Sequence, residues 1–313
     1  MKVLMSITIV SLALQSNAVA QQTTEEATFP VEAELLVGDQ FQGSEGIAFN
    51  GEGRLFVTAN QALWEIDTEG GVRKVVGLFS NLGLAAIGDR DLLVADFGPT
   101  NAFRHDRNND GIVWRITPEG EKSELITGIG DPNFVLVRED GSILISDDAT
   151  SDIWVAGEDM QPILFSTAVN HPNGLALTDD GKTLYVAQIF KSIRPVVRDD
   201  SLWAIDLKDG KPVGAARLVV RTGPLAANDG LAIDALGRVY IAANGAAGQV
   251  WRYDPADGEI VLIAERIYGA ASIAFGAGKF DQRSIYVSTT TNQGRGGKIW
   301  RIPVNIAGQK LHR

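Results

Sequence analysis

The chain repeats itself. Six times a short apolar run, a turn and a second apolar run recur: "EGIAFNGEGRLFVTA", "LGLAAIGDRDLLVAD", "NFVLVREDGSILISD", "NGLALTDDGKTLYVA", "DGLAIDALGRVYIAA" and "ASIAFGAGKFDQRSIYVS". Each is followed by a run with a Trp at one phase: "ALWEID", "IVWRIT", "DIWVAG", "SLWAID", "QVWRYD" and "KIWRIP". Five then lead to a fourth apolar segment: "RKVVGL", "SELITG", "PILFST", "ARLVVR" and "IVLIAE". Alternating apolar runs between Gly/Asp turns indicate strands rather than helices. Four-stranded units at a period of about 40–55 residues are the mark of a β-propeller. The expected fold is therefore all-β: a six-bladed β-propeller over residues 30–313, four strands per blade. The sixth repeat stops after three strands. The N-terminal "FPVEAELLVG" is expected to complete blade 6 and close the ring. The six Trp residues (64, 114, 154, 203, 251 and 300) are expected in the core between blades.

Residues 1–20, "MKVLMSITIVSLALQSNAVA", read as a secretory signal peptide. Lys2 gives the positive start, residues 3–14 are largely apolar, and 18–20 form a small-x-small cleavage site. The expected mature chain begins after Ala20, with a flexible tail at 21–29, and is secreted or periplasmic. The chain has no cysteine, so it holds neither disulfides nor thiolate metal sites. That suits a bacterial periplasm or medium. A net charge of −11 argues against nucleic-acid or anionic-membrane partners. The expected state is a monomer or weak oligomer acting on a small molecule.

In a propeller the first strand of each blade lines the central channel. Registering the six repeats on that strand and reading the position before its apolar run gives Glu45, Leu82, Asn133, Asn173, Asp229 and Ala271. Four of them carry a side-chain oxygen, and the register brings them to one channel mouth. For each alone, a turn-forming residue beside Gly is an adequate account. Together, two carboxylates and two amide oxygens make a hard, all-oxygen set. Calcium takes six to eight such oxygens at about 2.3–2.6 Å, leaving places for water and substrate. Another divalent cation, magnesium, stays open but prefers a more hydrated site. Zinc does not fit, because no His or Cys joins the set.

These residues also carry a resemblance. "SEGIAF", "DPNFVLVREDGSILISD", "HPNGLALTDDGKTLYVA" and "NDGLAIDALGRVYIAA" resemble the family of gluconolactonase, senescence marker protein (regucalcin) and luciferin-regenerating enzyme. They are also similar to diisopropylfluorophosphatase and, more distantly, to paraoxonase. The resemblance covers essentially the whole mature chain. It implies calcium on Glu45, Asn133, Asn173 and Asp229, with Asp229 as base or nucleophile in the hydrolysis of a lactone or related ester. Family sugar-lactone hydrolases often carry an Arg two residues before the third-blade Asn. Here Asp131 stands there, and Phe134 follows Asn133, so a basic sugar contact is missing. Phosphotriester hydrolysis, or a non-catalytic binding propeller with a structural calcium, are the alternatives.

The expected catalytic set is thus Asp229, Asn133 and His171, the last either shuttling protons or packed in a His-Pro turn. "FGPTNAFRHDRNND" and "QIFKSIRPVVRDD" are the longest top loops and should wall the site. They offer Arg104, His105, Lys191, Arg194 and Arg198 to a polar or anionic substrate. "DRNNDG" at 106–111 matches the first half of a calcium loop, but Thr117 stands where that loop needs Glu.

Overall fold

The structure, a computed structural model, describes residues 28–100, 108–224, 226–246 and 248–312. The expected signal peptide lies outside the described residues. Of the expected tail only Thr28 and Phe29 are described, and Phe29 packs on the core between blades 5 and 6.

Six four-stranded antiparallel sheets follow one another along the chain. Blade 1 is Ser44–Phe49, Leu55–Ala59, Ala62–Ile66 and Val72–Gly77. Blade 2 is Leu84–Ile87, Asp91–Asp96, Gly111–Ile116 and Lys122–Ile129. Blade 3 is Pro132–Val137, Ile143–Asp147, Ile153–Ala156 and Pro162–Ser166. Blade 4 is Pro172–Leu177, Thr183–Gln188, Ser201–Lys208 and Lys211–Arg221. Blade 5 is Asn228–Ile233, Val239–Ala243, Gln249–Tyr253 and Ile260–Glu265. Blade 6 is Ala270–Phe275, Ser284–Thr289, Ile299–Pro303 and, from the other end of the chain, Glu34–Val37. Every first strand touches the first strands of both neighbouring blades, which closes a ring about the axis.

Burial follows the distance from that axis. Second strands such as Leu55–Ala59 and Ile143–Asp147 are buried along their whole length, whereas fourth strands such as Val72–Gly77 are largely exposed. The core is divided into six clusters, each between two adjacent blades. Each Trp belongs to a different cluster and packs toward the preceding blade, as Trp114 does on Phe56 and Leu63 of blade 1. The repeated Trp is thus a spacer that sets one blade on the next, a use suited to a large rigid apolar ring.

The N-terminal strand pairs with the last strand of the chain, Glu34 opposite Arg301 and Leu35 opposite Trp300. Arg301 also bonds the Glu34 carboxylate at 2.7–2.8 Å, and Val37 is 1 % exposed in the core between blades 6 and 1. Deleting residues 30–37 leaves an unpaired strand edge and is expected to lower the melting temperature by about 10 °C or more. An unchanged calorimetric transition would refute this closure.

Beyond its last strand the chain crosses the lower face of the ring. Gln309 donates from its backbone N–H to Ile233 and from Nε2 to Leu177, both at 2.9 Å. Gly308 bridges Asp234 and lies against Phe275, where no side chain would fit. These contacts fall at the lower ends of the first strands of blades 4, 5 and 6.

Candidate functional site

At the upper end of the ring, Glu45, Asn133, Asn173 and Asp229 each occupy the second position of a first strand. In each the pairing slips between the first and fourth residues, as between Pro132 and Val135 or Asn228 and Leu231. Such a bulge re-aims side chains out of the regular alternation. The glycine that follows three of the four has a separate cause. A Cβ at Gly46 would lie 2.3 Å from the Leu82 carbonyl, at Gly174 2.2 Å from that of Asp229, and at Gly230 2.6 Å from that of Ala271. The "EG", "NG" and "DG" pairs are therefore not turns. Their glycines let neighbouring first strands meet at the axis.

Hydroxyls in the second strands fix the backbone between blades. Thr58 Oγ1 accepts from the Gly46 N–H at 2.9 Å and donates to the Leu82 carbonyl at 2.7 Å. Ser146 Oγ accepts from Phe134 N–H at 3.1 Å and donates to the Asn173 carbonyl at 2.7 Å. Ser288 repeats this between Ser272 N–H and the Glu45 carbonyl. The peptide units that carry Glu45 and Asn173 are thereby tied to the adjacent blades.

The electrostatics are those of crowded buried acid. Burial, then the charges of Asp229 and Asp148, holds the Glu45 carboxyl well above the usual carboxylate range. Burial also raises Asp229, against a hydrogen bond from Asn244 and the positive charge of Arg198. Asp148 is raised by burial, then by Asp147, Asp229 and Asp131, and is lowered by its bond from Asn133. Asn173 is 1 % exposed, yet neither its Oδ1 nor its Nδ2 has a partner among the described residues. Buried amides are rarely left unsatisfied, and close carboxylates rarely lack a counter-charge. A cation among Glu45, Asn133, Asn173 and Asp229 answers both, so these residues fit calcium. Among the described residues no three His, Cys, Asp or Glu side chains form a metal-holding group, so such a site depends on its two amide oxygens.

His171 bonds through Nδ1 to the Asp148 carbonyl at 2.8 Å. A carbonyl only accepts, so Nδ1 carries the proton and the neutral ring has its lone pair on Nε2. A cavity of about 520 Å³ opens beside His171 between blades 3 and 4, lined also by Asp131, Asp147, Asp152, Trp154 and Arg194. It flanks the four first-strand residues rather than containing them. The expected long loop of blade 4 forms a hairpin, Phe190–Ile193 with Val196–Arg198. Lys191 and Arg194 line the cavity, while Arg198 reaches across to donate to the Asn244 carbonyl at 2.7 Å. Arg104, His105 and Asp106 lie outside the described residues. In the described part of the 106–111 motif, Asn108 donates to Asp131 at 3.3 Å and Asp110 accepts from the Thr100 N–H at 2.8 Å.

The sequence did not single out Asp148 and Asn244. Both follow the second strand of their blade, in line with the first-strand positions: Pro132 pairs with Asp147, and Asn228 with Ala243. The register that found the four inner residues would have found these had it been carried one strand outward.

A six-bladed propeller with acid and amide side chains gathered at one mouth is the class of protein that fold and site define. Residues 154–291 match the family model described as "SMP-30/Gluconolactonase/LRE-like region", the family that the repeats resemble. Among solved structures, a gluconolactonase from Xanthomonas campestris is similar at 21 % identity and TM-score 0.69, over 88 % of this chain and 91 % of that one. A calcium-binding protein, regucalcin, from Agrobacterium tumefaciens is similar at 20 % identity and TM-score 0.69, over 90 % and 97 %. The PQQ-bound aldose sugar dehydrogenase of Streptomyces coelicolor follows at 16 % identity and TM-score 0.64, over 87 % and 98 %. At these identities the likeness is one of fold, and this fold hosts unlike chemistries. No curated protein matches the chain.

Proposed function

We propose that this chain is an exported, calcium-dependent hydrolase of a lactone or related ester. The observation that carries the reading is the crowding of Glu45, Asp148 and Asp229, whose like charges repel, beside the Asn173 amide, which has no partner among the described residues. The family match and the gluconolactonase neighbour support a lactonase-type hydrolase. The regucalcin neighbour, a calcium-binding protein, supports the choice of cation. The leader read at residues 1–20 supports export.

Glu45, Asn133, Asn173 and Asp229 would hold the cation. When bound, calcium supplies a Lewis acid for the acyl oxygen and offsets the repulsion among these carboxylates. Asp229 has one oxygen committed to Asn244. The other takes a proton from water as that water adds to the acyl carbon. The ring C–O bond then breaks, and the departing alkoxide takes a proton. That proton would be the one Asp229 took from water, and His171 Nε2, which carries the ring's lone pair, would relay it. Substrate would approach from the polar cleft that flanks these residues between blades 3 and 4, where Asp131 on the wall would make an anionic sugar acid a poor fit.

A panel of lactones, aryl esters and organophosphates, run with and without chelator, tests this. The expected result is hydrolysis of at least one lactone that chelation abolishes and calcium restores. Chelator-insensitive turnover, or stabilisation by calcium with no turnover at all, would overturn the hydrolase assignment.

A further inference from the structure

Around the four inner residues stands a second row, and in two blades it mirrors the first. In blade 3 the inner residue is an amide and the outer one an acid: Asn133 Nδ2 donates to Asp148 Oδ2 at 3.0 Å. In blade 5 the order is reversed: Asn244 Nδ2 donates to Asp229 Oδ2 at 2.6 Å. The outer residues occupy the same place in their blades, directly after the second strand. In blade 4 that place is held by Ile189, which is buried and has no polar side-chain atom to offer. That is why Asn173, unlike Asn133 and Asp229, has no side-chain partner among the described residues.

We infer that Asp148 and Asn244 are positioning residues that decide which atom of Asn133 and of Asp229 is presented to the centre. The inference rests on the calcium reading above. A carboxylate only accepts, so Asp148 claims the NH₂ of Asn133 and leaves its carbonyl oxygen, the cation-binding end, for the axis. Asn244 claims one oxygen of Asp229 and leaves the other. Both outer residues are themselves held. The Asn244 N–H donates to the Ala227 carbonyl at 2.8 Å, and its Oδ1 accepts from Thr290 Oγ1 at 3.2 Å. The Asp148 backbone carbonyl accepts from His171 Nδ1. Asp148 is 3 % exposed and its Oδ1 has no partner among the described residues. It acts through Asn133 and is not itself a ligand, since among the described residues no three acids form a metal-holding group.

Partners of this kind around metal ligands typically change affinity by about 10–100-fold when removed. The test is calcium titration by calorimetry on the mature chain, with the calcium-free melting temperature measured alongside. Asp148→Ala is expected to weaken calcium by about 10–100-fold. Asp148→Asn keeps an acceptor for Asn133 Nδ2 and should recover most of that loss. In an Asn133→Ala background, Asp148→Ala should add nothing, because the group it orients is gone. Asn244→Ala reads the same effect in blade 5 and stands in should Asp148→Ala not fold. A purely structural role predicts a lowered calcium-free melting temperature. The positioning role predicts that Asp148→Asn, which removes a buried charge, leaves it level or raises it. Wild-type affinity in both Asp148→Ala and Asn244→Ala, or an equal loss from Asp148→Ala with and without Asn133, would overturn the inference alone. A wild type that takes up no calcium would overturn the inference together with the reading beneath it.

Discussion

Replacing Asp229 by Asn is expected to lower turnover of the best lactone substrate by about 10²–10⁴-fold at saturating calcium. The substitution removes the base and keeps the shape. It also makes a binding conflict. Asp229 offers one oxygen to Asn244 Nδ2 and has a second to spare. An Asn there has a single oxygen, which serves either Asn244 or the cation. Calcium should therefore still bind, more weakly, and the kinetic deficit should persist when the site is filled. Steady-state rates across a calcium series separate the two effects. Near-wild-type turnover in the saturated variant would remove Asp229 from the mechanism.

The second large effect is on stability against pH. Burial, then the like charges of Asp131 and Asp152, pushes Asp147 up to about 7, while Glu45 and Asp148 are also held high. A carboxyl raised in the folded state favours folding in its neutral form. Its stabilising contribution is complete below the unfolded pKa of about 4 and is lost as pH rises through the folded value. A tenfold gain in a carboxyl's proton affinity on folding is worth about 1.4 kcal/mol. Calcium-free protein should therefore melt about 5–10 °C higher at pH 5 than at pH 8. Carboxyls lowered by their partners, such as Glu65 beside Arg54, lose their contribution only further into acid, so the window is clean. Calcium binds the ionised forms, so it should raise the melting temperature most at pH 8 and least at pH 5. A calcium-free melting temperature that falls from pH 8 to pH 5 would show that these acids are not coupled to folding as described.

The fold was legible because a propeller writes one pattern several times. Strand period, turn residues and the Trp phase all recur, and the missing fourth strand of blade 6 pointed to its replacement at residues 34–37. The inner residues were legible for the same reason: Glu45 and Asp229 are ordinary when read singly but fall at one position of the repeat. What escaped was what depends on the gaps between blades. The glycines beside Glu45, Asn173 and Asp229 looked like turn residues, because sequence spacing does not report how closely neighbouring strands approach. Asp148 and Asn244 were missed because their meaning lies in a cross-strand partner. The blade 4 hairpin read as a loop because its short strands, Phe190–Ile193 and Val196–Arg198, carry charge and a proline between them.

The tail that crosses the lower face has a reach beyond its own contacts. Through Gln309 and Gly308 it grips the lower ends of three inner strands, and two of these carry Asn173 and Asp229 at their upper ends. A strand of six residues spans about 20 Å and is stiff along its length. Those two strands are therefore tethered at the base, with Asn173 and Asp229 near their tips. A change at Gln309 would loosen the lower anchor of the strands whose upper ends carry Asn173 and Asp229.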